Sequence, residues 1–141
     1  MIYNLTKKKI ISRNPVYATG FLMRGRGMIG RSFTGFDAMV FERCNCIHTM
    51  FMSMEIDVLF VNFENKICGV RRRLVPWKPL VRCKNAFTVI ELPSGALETT
   101  GTGEGDYINL RAELSDSESM NNAAKDFLKT AETIISFSEN D

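Results

Sequence analysis

The residues of this chain best suited to chemistry sit together. Cys44-Asn45-Cys46-Ile47-His48-Thr49-Met50-Phe51-Met52 holds the only histidine and two of the four cysteines. Cys44, Cys46 and His48 alternate, so on a strand their side chains share one face. Thiolate and imidazole suit zinc or copper, and Met50, Met52 and Met54 continue the same parity with thioethers that add ligands for Cu(I). Against a metal centre, residues i and i+2 on a strand stand about 6.5–7 Å apart, so three of them converge only across a bend or bulge. The chain has no CxxC, no HxxxH and no second histidine. A thiol enzyme would pair Cys44 or Cys46 with His48, oriented by Asp57 or Glu55, and needs the same convergence. Cysteine and methionine are also ordinary core residues. These points favour a packed core with one hydrogen-bonded histidine. No cofactor is expected, with zinc or copper as the alternative.

Asp57 lies between Ile56 and Val58, and an acid there must be hydrogen-bonded if it is buried. It reads as a structural anchor at the start of a strand. Gly25-Arg26-Gly27-Met28-Ile29-Gly30 spells GxGxxG, but it lacks the preceding strand and following helix of a dinucleotide fingerprint. Gly101 to Asp106 lacks the Lys-Ser/Thr ending of a phosphate loop and reads as a tight connection. Arg71-Arg72-Arg73, with Lys66, Lys78, Arg82 and Lys84 around Trp77, forms the main basic cluster. Such a mixture suits a single-stranded nucleic acid. It equally suits a charged sheet edge or a surface for an acidic protein. Pro76-Trp77-Lys78-Pro79 reads as a rigid turn with Trp77 capping the core.

These residues need elements to hold them. Tyr3 to Ile11 reads as a short strand interrupted by lysines. Phe21, Leu22, Met28 and Ile29 recur at helical spacing and predict a helix over Ala18–Ile29, weakened by Gly25 and Gly27. Strands are expected at Ala38–Phe41, Ile56–Phe63, Ile67–Arg73, Ala86–Leu92 and Gly105–Leu110, joined by short turns such as Glu64-Asn65-Lys66. The expected fold is mostly β (α+β): one compact, barrel-like antiparallel domain over residues 1–112, with a short N-terminal helix. Residues 113–141 form an acidic tail. There Met120, Ala124, Phe127, Leu128, Ala131, Ile134 and Ile135 share one face of an amphipathic helix expected over Ser115–Phe137. That face would pack on the domain, on a protein partner or across a homodimer.

At 141 residues, with 45% hydrophobic and 24% charged residues, the chain is long enough to bury a core and too apolar to be disordered. Its net charge of +2 conceals an asymmetry: residues 1–112 carry 16 Lys/Arg against 9 Asp/Glu, and residues 113–141 carry 2 against 7. Tail docking onto body accounts for this as readily as a nucleic-acid surface does. Lys7-Lys8-Lys9 is followed by too few apolar residues for a secretory signal, and no stretch is apolar enough to span a membrane. The expectation is a cytoplasmic protein with reduced cysteines.

Taken in order, the motifs resemble the DUF192 family, a bacterial and archaeal domain of unknown function. Arg26-Gly27-Met28-Ile29-Gly30-Arg31 is similar to its RGLLGR segment. Cys44 with Ile47-His48-Thr49-Met50-Phe51-Met52 resembles C…IHTFFM, and Ile56-Asp57-Val58-Leu59-Phe60 resembles IDVVFLD. Leu74-Val75-Pro76-Trp77 is similar to LRPWR, Val89 to Gly95 to VLELPAG, and Gly105-Asp106 to the closing GD. The resemblance spans residues 17–110 and implies a small, mostly β domain with no established activity. Many members carry FWMKNT where this chain has His48-Thr49-Met50-Phe51-Met52-Ser53, so roles resting on that Trp, Lys or Asn do not carry over.

The functional expectation is a non-enzymatic binding or accessory module, with His48, Phe51, Met52, Asp57 and Trp77 lining a cleft. The alternatives are a metal-binding protein or small enzyme centred on Cys44, Cys46 and His48, and nucleic-acid binding through Arg71, Arg72 and Arg73.

Overall fold

The structure, a computed structural model, describes residues 1–113, of which Met1–Arg111 form one compact unit. Its elements are β1 (Ile2–Asn4), β2 (Lys9–Ser12), β3 (Pro15–Tyr17), α1 (Phe21–Arg26), β4 (Ala38–Glu42), β5 (Cys46–Ile47), β6 (Ile56–Val61), β7 (Ile67–Leu74), β8 (Val81–Arg82), β9 (Thr88–Pro93), α2 (Ala96–Thr100) and β10 (Ile108–Asn109). They build a five-stranded sheet in the order β3-β4-β9-β6-β7, a three-stranded sheet β10-β1-β2 and the pair β5-β8. The β3–β4 ladder is parallel and the others are antiparallel.

Strands β4, β6 and β9 are apolar without alternation because both faces of the central sheet are covered. Val40, Leu59, Val61, Ile90 and Leu92 point into one cluster, closed by Ile2, Ile11 and Ile108 of the three-stranded sheet and by Leu97 of α2. Met39, Phe41, Val58, Phe60 and Val89 point into the other, covered by Met28, Met52, Ile47 and Val81. Burying each such side chain is worth about 1.5–3 kcal/mol, so this three-layer arrangement carries the fold.

Several expectations need correction. The ladders form three open sheets among the described residues, so the architecture is layered and no barrel closes. The Tyr3–Ile11 strand is a hairpin, β1 turning into β2, because Lys8 adopts a left-handed φ of 56°. The helix over Ala18–Ile29 shrinks to six residues, ended where the Gly27 N–H bonds the Met23 carbonyl. Its apolar stripe is no core face, since Phe21 and Leu22 are 90% and 83% exposed and Met28 is buried beyond the helix end. Trp77 does not cap the core: at 58% exposed it packs edge-on against Phe51, their ring centroids 5.1 Å apart. The last strand is only β10, preceded by a single bridge between Lys66 and Tyr107. The expected Ser115–Phe137 helix, with any dimer contact through it, lies outside the described residues. No helix among the described residues is long and apolar enough to cross a membrane.

Candidate functional site

Glu91 lies on β9, two residues from Val89, and therefore points to the same apolar cluster. Its register neighbours are Met39 on β4 and Val58 on β6, neither of which offers a polar partner. The residue is 2% exposed, and its Oε2 has no hydrogen-bond partner. Burial pushes its pKa up to about 8, so the carboxyl is mostly neutral at pH 7.

A cavity of about 170 Å³ opens above this carboxyl. One wall is the chain from Arg24 to Ile29, the other runs from Cys44 through His48 to Met52, and Phe41 and Glu91 close the bottom. The first wall depends on Gly27, which has φ +49°, and whose added Cβ would lie 3.6 Å from Phe41 Cζ and 3.8 Å from Glu91 Oε2. Glycine thus lets the backbone leave α1 directly over the carboxyl. The GxGxxG stretch contributes to this wall rather than to a dinucleotide loop. Arg24 donates to the Glu42 carbonyl at 2.8 Å, and Arg26 Nε donates to the Ile29 carbonyl at 3.1 Å. Neither arginine forms an ion pair with a carboxylate among the described residues.

Of the residues singled out in the sequence, Cys44, Cys46, His48 and Met52 line this cavity. They do so without the predicted shared strand, because β5 covers only Cys46 and Ile47. The Cys44 thiol donates to the Cys46 carbonyl at 3.0 Å. No group of three or more His, Cys, Asp or Glu among the described residues is placed to hold a metal ion.

Phe51, Asp57 and Trp77 do not line it. Phe51, 64% exposed, and Trp77 form a surface pair held by buried Thr49. The Thr49 hydroxyl donates to the Val75 carbonyl at 2.8 Å and accepts the Lys78 N–H at 3.0 Å, while its own carbonyl accepts the Trp77 N–H. Asp57 is fully buried and accepts N–H groups from Arg73 at 2.9 Å and from Gly95 and Leu97 at 3.0 Å. Gly95 has no side chain to cap α2, so Asp57 supplies the missing acceptor from β6.

The three arginines do not form one patch. Arg71 lies 6.0 Å from the centre of the Phe60 ring, on the methionine-rich side. Arg72 bonds the Thr102 carbonyl at 2.8 Å and Arg73 reaches Glu98 at 3.3 Å, both beside α2. A bulge opposite Ile56–Val58, with Arg73 at φ 50°, separates them.

Fold and site together define a small, mostly β domain with a cavity set against one face of its central sheet. Residues 6–110 match the DUF192 family, described as uncharacterized ACR, and the chain belongs to that family. It is 30% identical over 119 residues to a UPF0127 protein of Thermococcus sibiricus, covering 80% of this chain and 76% of that one. Two crystal structures share the fold, each with a TM-score of 0.60 over 67% of this chain. One is a protein of unknown function from Novosphingobium aromaticivorans, 18% identical and covered over 73% of its length. The other, from Sinorhizobium meliloti, is provisionally assigned as a transcription regulator; it is 20% identical and covered over 79%.

Glu91 is the residue that reading the sequence missed. Its signal was present: a lone acid inside Val89-Ile90-Glu91-Leu92, the same pattern that drew attention to Asp57.

Proposed function

We propose that this domain is a non-enzymatic binding module that takes a small ligand into the cavity between Arg24–Ile29 and Cys44–Met52. The observation that supports this most is the Glu91 carboxyl. A buried polar atom without a partner costs about 1–3 kcal/mol, and a fold has no structural reason to retain one at the floor of a cavity. Apolar side chains with a few polar groups among them are the usual composition of a ligand site, and Met28, Ile29, Phe41, Ile47 and Met52 supply the apolar part here. On this reading His48 and Met52, which line the cavity, belong to the site, while Phe51, Asp57 and Trp77 belong to the scaffold and the surface. On this reading the protein works in the cytoplasm, where its four free cysteines stay reduced.

Single-ring fragments of mixed charge, titrated against protein with labelled methionine methyls, test the module. Some fragment should shift the Met28 and Met52 signals saturably in the wild type and bind more weakly to Glu91→Leu. If no fragment moves those methyls, the cavity is not a binding site.

A further inference from the structure

We infer that the ligand of this cavity is a small organic monocarboxylate with an apolar body, an inference that rests on the binding-module reading above. The volume limits the guest. About 170 Å³ is close to the roughly 150 Å³ of an apolar cavity that takes up benzene, so the guest is of single-ring size. The walls ask for an apolar body. Met28, Ile29, Phe41, Ile47 and Met52 offer carbon and sulfur, against which an inorganic anion such as phosphate would lose its hydration without compensation.

Charge selects the head group. The titratable and charged groups that line the cavity with Glu91 are Arg24 and Arg26 on one wall and Cys44, Cys46 and His48 on the other. The sheet residues Met39, Phe41, Val58 and Val89 around it add no charge. With the Glu91 carboxyl protonated, the two arginines are the formal charges of the lining, and no carboxylate pairs with them among the described residues. Two positive charges at the cavity wall favour an anionic guest over an amine. A protonated carboxyl at the floor has one O–H to donate and accepts from the ligand in return. A carboxylate guest takes that O–H in a charge-assisted bond, and the arginines balance its charge.

Binding should then depend on pH. Benzoate, benzylamine and benzyl alcohol serve as probes, titrated at pH 7 and pH 9 with the methionine methyls as readout. Benzoate should bind best of the three at pH 7 and weaken about tenfold at pH 9, as Glu91 loses its proton. Glu91→Gln, neutral at both values, should bind benzoate without that loss, and Arg26→Gln should weaken benzoate selectively. Preference for benzylamine, or a benzoate affinity that ignores pH in the wild type, would overturn the ligand class and leave the binding site standing. So would a Glu91→Gln protein that keeps the loss at pH 9. A failure of all three probes to shift the methyls counts against the site itself.

Discussion

Asp57 and Glu91 both interrupt apolar strands, and the fold surrounds them in opposite ways. Asp57 gathers three backbone N–H groups from β7 and the start of α2, so truncating it orphans three donors at once. Asp57→Ala should cost roughly 3–5 kcal/mol in urea denaturation, and Asp57→Asn about half as much, since its amide oxygen can still accept. Glu91 has the reverse problem. Its proton is held up to about pH 8 in the folded chain, but only up to about 4.3 once unfolded. Between those values the folded state holds one proton more, so stability should fall as pH rises through that window, by roughly 4–5 kcal/mol in all. Denaturation curves collected across it should show the decline, and Glu91→Leu should remove it. The sequence made Asp57 legible because a buried acid needs donors, and loops close to β6 had them to give. It did not show which of two embedded acids would be left without partners. That depends on Gly27 passing over β9 from a distant segment of the chain, a packing fact that spacing along one strand does not encode.

At the scale of elements, long apolar runs were readable and short ones were not. β4, β6 and β9 stand close to where their continuous apolar runs place them, because both of their faces are buried, and β7, an edge strand buried only near its start, is placed by the turn that precedes it. α2 has five residues and no stripe to read, and its start is capped by a residue from another strand. α1 misled because Phe21, Leu22, Met28 and Ile29 fit one helical face, whereas the backbone leaves the helix at Gly27 and only the second pair turns inward. Phe21→Ser and Leu22→Ser should therefore change thermal stability by less than about 0.5 kcal/mol, as surface substitutions do, and a larger loss would return that stripe to the core. Thr49 is the opposite case, an inconspicuous residue that holds the 48–52 and 75–78 loops together. Thr49→Val keeps the shape and deletes the hydroxyl bonds to Val75 and Lys78. It should cost about 1–2 kcal/mol and shift the emission of Trp77, the single tryptophan.

For the molecule as a whole, stability concentrates in the middle of the five-stranded sheet. Amide hydrogens of β6 and β9 should exchange only through global unfolding, while those of α1 and of residues 44–52 exchange through local opening. Equal protection across both regions would contradict this. The strand order also has a consequence for how the chain is made. β9 sits between β4 and β6, yet it leaves the ribosome after both of them. Until residue 93 has emerged, β3-β4 and β6-β7 are two half-sheets without a common neighbour, each with an unsatisfied inner edge. Nascent chains stalled before β9 should thus remain protease-sensitive and prone to cling to one another or to a chaperone. A slightly longer chain inserts the missing strand and acquires its core in a single late step.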